Sequence, residues 1–165
     1  MGLFSGRFLK SYKMALPDIF TKVVSEKIIN RIDALTPAVS AAWGKMNASQ
    51  MLAHCSITYE MIYEDKHPKP NFIMKFMLKS LVKKLVTNES PYQKSSRTAP
   101  AFLISGERNF EPEKNRLISY IRKSQELGEN TFDNKESPSF GRLNKIEWNN
   151  MFYKHLDHHL TQFGV

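Results

Sequence analysis

Apolar positions recur at helical spacing in four stretches of the chain. Over 17–35, Ile19, Phe20, Val23, Val24, Ile28, Ile29 and Ile32 form one face, with Pro17 at the first helical position and Pro37 past the end. Over 47–64, Met51, His54, Cys55, Thr58, Met61 and Ile62 lie along one side, and Asn47 with Gln50 makes a capping-box pattern. A third helix is predicted over 112–127, opened by Pro112 and stopped by Gly128, with Leu117, Ile118, Ile121 and Leu127 inward. The last runs over 144–164, where Asn144 and Glu147 repeat the capping-box signal. Between the second and third lies an accessory helix over 72–86, apolar around most of its circumference. Lys75, Lys79 and Lys83 form its narrow polar stripe. A basic amphipathic helix can lie on a membrane surface, but this polar stripe is thin. Met74, Phe76, Met77 and Leu78 are therefore expected to be covered by the main bundle or a second subunit.

The remaining segments carry no usable period. Residues 87–110 hold Pro91, Pro100 and Gly106, and a loop of that length often lines a site. A second polar loop is expected over 129–143, and no strand is predicted. Residues 1–16 read as a poorly patterned leader, and 17–165 as a single helical domain. The fold class is therefore all-α, a four-helix bundle with an accessory helix and long loops.

With 165 residues, 41% of them hydrophobic, the chain can build one core without staples. One cysteine excludes an internal disulfide, and no apolar run approaches a membrane span, so a cytoplasmic location is expected. The formal net charge is +8, but no basic tract of five residues occurs. A solvated basic surface explains that charge, so neither nucleic acid nor a membrane is expected as partner. A small-molecule substrate and a homodimer are.

Three of the five histidines fall in the last helix, in the run His155-Leu156-Asp157-His158-His159. His155 and His159 stand about 6 Å apart along the axis and project from one side, within reach of a common metal ion. Trp148, Phe152 and Gln162 share that stripe. His54 lies mid-helix on the apolar side of the second helix, aligned with Gln50 and Met61. Helices packed 8–10 Å apart bring one imidazole of His54 to the other two. Three histidines with no fourth protein ligand describe a catalytic rather than a structural centre. Core histidines bonded to carbonyls are the alternative. Gln50, Trp148 and Gln162 are candidate pocket residues; His67, beside Pro68, reads as a surface histidine, and Cys55 as a buried structural thiol.

The segments Trp43-Gly44-Lys45-Met46-Asn47, Gln50-Met51-Leu52-Ala53-His54 and His155 through Gly164 resemble the DinB/YfiT-like superfamily of metalloenzymes. In that superfamily one metal histidine lies in the second helix and an H-x-x-x-H pair in the last. Leu160-Thr161 departs from its pattern. The resemblance implies a four-helix bundle holding zinc or nickel on His54, His155 and His159. It also implies activity as a transferase of low-molecular-weight thiols or a thiol-dependent isomerase.

The chemistry of the residues is compatible with that expectation. A divalent ion on three neutral imidazoles keeps its positive charge and can hold a thiol as thiolate. Hydrolysis needs a general base, and Glu60 and Glu64 lie toward the far end of the second helix. Catalytic residues beyond the ligands are not assigned. Metal affinity is expected to fall as pH drops toward the ordinary histidine pKa of ~6.5. A non-enzymatic binding protein is the rival class.

Overall fold

The computed structural model describes residues 16–165, so all but the last residue of the expected leader lies outside the described residues. The chain is mostly helical. Its elements are α1 (Lys22–Asp33), α2 (Ala48–Tyr63), α3 (Phe72–Met77), a π-helical turn (Leu78–Val82) and α4 (Lys83–Thr87). A 3-10 turn (Pro100–Phe102), α5 (Phe110–Leu127), α6 (Glu129–Phe132), β1 (Lys135–Ser137), β2 (Gly141–Leu143) and α7 (Lys145–Gln162) follow. The four long helices touch in a ring, α2 against α5 and α7, and α1 against the same two.

The two capping boxes form as the sequence predicts. Asn47 accepts from the Gln50 amide while the Gln50 side chain accepts from the Asn47 amide, and Asn144 and Glu147 repeat the exchange. Each starts a helix that must be placed accurately, since α2 and α7 carry the histidines. α2 is the central element: Met51 through Glu60 are all buried. Beside it, Phe132, Trp148 and Phe152 pack edge-on or tilted at centroid separations of 5.6–5.7 Å, and Tyr59 stacks on Phe152 at 4.7 Å.

Three sequence expectations are corrected. Pro17 does not open a helix. The buried Asn149 of α7 accepts from the Ile19 amide at 2.8 Å and donates to the Pro17 carbonyl at 3.2 Å, which holds 17–20 as a strap. Helix α1 then starts after Thr21, whose hydroxyl accepts from the Val24 amide. Second, the chain is not purely helical. Residues 129–143 fold into α6 and an antiparallel hairpin pairing Lys135 with Leu143, Glu136 with Arg142 and Ser137 with Gly141. Asn134 (φ 58°) and Gly141 (φ 75°) adopt the left-handed backbone at its two ends, and Leu143 plugs the core. Third, of the two covers expected for the arm formed by α3, the π-turn and α4, the main bundle takes only its C-terminal end, where Val86 packs on the core. Phe72 (84% exposed), Ile73 (70%), Phe76 (65%) and Leu81 (71%) face outward. Among the described residues, no helix is long and apolar enough to cross a membrane.

Candidate metal centre

The long segment between α4 and α5 folds over the N-terminal half of α2. Gln50 Nε2 donates to the Gly106 carbonyl at 3.1 Å, and His54 Nδ1 meets the Phe102 carbonyl at 2.9 Å. Under this cover the structure brings His54, His155 and His159 together. Each offers one ring nitrogen, and the three nitrogens lie within 4.8 Å of one another. The His54 ring stands 5.0 Å from His155 and 4.6 Å from His159, centroid to centroid. His54 and His159 are buried. His155 is only partly buried as a residue, but its ring lies among those of His54, His159, Phe102 and Tyr92.

The partners of the outer nitrogens fix which nitrogen faces inward. A carbonyl only accepts, so His54 carries its proton on Nδ1 and presents the Nε2 lone pair. For His159 the chain of reasoning is one step longer. Gln162 Nε2 donates to the Trp43 carbonyl, which turns Gln162 Oε1 toward His159 Nδ1 at 2.8 Å. That oxygen accepts, so His159 also holds its proton on Nδ1. Gly44 makes this possible. Its φ is +83°, and a Cβ there would come within 2.6 Å of Gln162 Nε2. His155 differs, because its Nδ1 meets the Thr58 hydroxyl at 3.0 Å and its Nε2 meets His54 Nε2 at 3.0 Å. A hydroxyl donates or accepts, so Thr58 serves either tautomer. Without metal, His155 Nε2–H donates to His54. With the proton on Nδ1, all three Nε2 lone pairs are available.

These residues fit a divalent ion. Three neutral imidazoles, each with an outer partner, are a donor set suited to zinc, nickel or a similar metal. Replacing Thr58 with valine, or Gln162 with leucine, is expected to lower zinc affinity about 10–100-fold, measured by competition with a chelator. Thr58→Ser should keep most of it. Unchanged affinity in both variants would show that these partners do not orient the ligands.

Burial also keeps the cluster neutral. Desolvation pushes His54 below its ordinary value, His155 well below it, and His159 down to about 3, and the rings' mutual repulsion adds to the shift of His155 and His159. Proton competition with a metal therefore sets in below the ordinary histidine range near which the sequence alone places it. The sign for stability follows. Below pH ~6.5 the unfolded chain takes up protons that the folded cluster refuses, so metal-free protein loses stability as pH falls from ~6.5 toward 3. His159 alone is worth about 2 kcal/mol between pH 6.5 and 5. Urea denaturation of metal-free protein at the two pH values measures it, and equal stabilities would contradict the burial.

The other candidates are placed elsewhere. Trp148 is not at the cluster; it is fully buried in the aromatic core against Phe132 and Phe152. Gln50 caps α2 and holds the covering loop, whereas Gln162 touches His159 directly. His158 flanks the cluster, 5.0 Å from the His159 ring, between Trp43 and Tyr92. His67 is not a free surface histidine but bonds Glu60 at 2.6 Å. Glu60 is buried and also paired with Lys66 and Arg116, which leaves no spare carboxylate there. Cys55 is buried, and burial raises its thiol pKa far above the range in which a thiolate forms. Sequence reasoning missed Thr58, Tyr92 and Phe102 as site residues. Thr58 was findable, one turn from His54 on the same face; the other two sit in a segment without periodicity.

Residues 20–164 match the model of DUF1569, described as a protein of unknown function, and the chain is a member of that family. No curated protein and no solved structure matches it. DUF1569 is distinct from the DinB/YfiT-like superfamily, so the resemblance drawn from the short histidine segments is not upheld. Short motifs carried it, whereas the family model weighs 145 positions from 20 to 164 together.

Proposed function

We propose that this protein is a metal-dependent enzyme that holds a divalent ion on His54, His155 and His159 and acts on a small molecule bound beside it. The observation that carries the reading is the mutual approach of three ring nitrogens within 4.8 Å while each outer nitrogen has its own hydrogen-bond partner. Zinc and nickel suit imidazole donors, and three protein ligands leave coordination positions open.

When bound, such an ion would stabilise the thiolate form of a low-molecular-weight thiol, which makes thiol transfer the first candidate reaction. Among the described residues no Asp or Glu joins the cluster, and the buried Glu60 is held by Lys66 and Arg116 and bonded by His67. Hydrolysis needs a general base, and among the described residues the group beside the cluster is His158 rather than a carboxylate, so metal-dependent hydrolysis is the second reading. The chain's own groups provide the setting: Phe102 and Tyr92 screen His155 from water, and the Thr58 hydroxyl donates to or accepts from His155 Nδ1 according to the ring's tautomer.

Cobalt-loaded protein provides the test. A small thiol such as 2-mercaptoethanol should produce a sulfur-to-cobalt charge-transfer band with wild-type protein and none with His155→Ala. Cobalt bound in the cluster with no spectral response to thiols would remove the thiol reading and leave the metal site.

A further inference from the structure

The arm spanning α3, the π-turn and α4 presents an apolar surface that the other described residues leave uncovered. Phe72, Ile73, Phe76 and Leu81 are 65–84% exposed, and Met74, Met77 and Leu85 about half exposed. So many large apolar side chains on one short segment exceed what scattered surface residues explain. The arm is nevertheless firmly seated at its C-terminal end. Asn150 Nδ2 donates to the Thr87 carbonyl at 2.9 Å, and Lys154 Nζ donates to the Leu85 and Asn88 carbonyls at 2.8 and 2.7 Å. Lys75 pairs with Glu136 and Lys83 with Glu147. The arm is thus a built projection, held against α7 at one end and apolar along the other.

Charge decides what covers it. From residue 66 to residue 88 the chain has six lysines and no aspartate or glutamate, and acids outside the segment pair with four of them, Lys66, Lys69, Lys75 and Lys83. Lys79 and Lys84 lie among the exposed apolar residues and have no ion pair among the described residues. A second copy would add its own Lys79 and Lys84 to the same contact, between molecules of net charge +8 each. Residues 1–15 carry Arg7, Lys10 and Lys13 and no acid, so they share the sign too. An anionic bilayer has the complementary character: apolar depth for Phe72, Ile73 and Phe76, and negative headgroups for the lysines. We propose that the arm docks this protein on the surface of an anionic lipid membrane, lying in the interface rather than crossing it. The inference is independent of the metal centre.

Full-length protein and vesicles of phosphatidylcholine alone or with one-third phosphatidylglycerol test it by co-sedimentation. Binding is expected to the anionic vesicles only, and to fall at high salt. Phe72→Ser with Phe76→Ser should weaken it at least about tenfold. Lys79→Gln with Lys84→Gln should weaken it roughly 25-fold, about fivefold per lysine. These side chains are exposed, so circular dichroism should be unchanged. Binding that survives both double variants places the contact elsewhere and overturns the proposal. So does failure to bind, whether light scattering then finds a dimer that Phe72→Ser with Phe76→Ser dissociates or a monomer with the face covered from within.

Discussion

Replacing His155 with alanine is expected to reduce zinc affinity by two to three orders of magnitude. Structural zinc sites with four ligands bind with about 10–16 kcal/mol, so one ligand is worth roughly 2.5–4 kcal/mol, or ~100–1,000-fold. His155 is the most telling of the three because its Nε2 touches His54 Nε2 while Thr58 holds its other face. Its loss removes one donor and leaves the other two on different helices. The fold should survive, since His155 is only partly buried as a residue and sits among rings rather than inside the hydrophobic core. Isothermal titration with zinc, alongside thermal unfolding of the metal-free variant, separates lost binding from lost folding. Wild-type affinity in a folded His155→Ala protein would remove His155 from the ligand set.

The second large effect concerns stability. Trp148→Ala should destabilise the protein by about 3–5 kcal/mol, because a fully buried indole packed on Phe132 and Phe152 leaves a cavity that α7 cannot collapse to fill. For a chain of this length that lowers Tm by roughly 10 °C. Trp148→Phe should cost much less, since the indole nitrogen is buried without a hydrogen-bond partner and phenylalanine removes that unmet donor. Metal affinity of the folded fraction should not change in either variant. A large loss of affinity with Tm preserved would place Trp148 in the pocket rather than the core.

These expectations show what the sequence discloses and what it hides. Helices α2 and α7 were readable because capping boxes and an apolar face agree, and the three histidines fall at positions that such faces turn inward. The 17–20 strap was not, because the partner that overrides Pro17 is Asn149, 130 positions away from Ile19. Strands of three residues carry too short a pattern to register, so the hairpin stayed hidden. The outer partners of the histidines divide the same way. Thr58 shares a helix with His54, and Gln162 with His159. Phe102, by contrast, reaches His54 through a backbone carbonyl that any residue would supply. Family membership was misread because a few short pieces around the histidines carried it, whereas the family match spans residues 20–164.

Position also sets the relation between the arm and the cluster. Asn150 and Lys154, which grip the end of the arm, precede His155 on α7 by five residues and one. Burial lowers the Lys154 pKa to about 8, and its ammonium is satisfied by the Leu85 and Asn88 carbonyls and the Asn88 side chain. That contact holds the middle of α7 against α4 and helps keep the histidine-bearing helix in place.

X-ray absorption at the zinc edge of the loaded protein measures the inner coordination sphere directly. The arrangement of His54, His155 and His159 predicts one zinc per chain bound by three imidazole nitrogens at about 2.0–2.1 Å, with lighter donors completing the shell. A sulfur neighbour at about 2.3 Å in thiol-free protein, or zinc that binds equally well after the three histidines are replaced, would contradict the assignment.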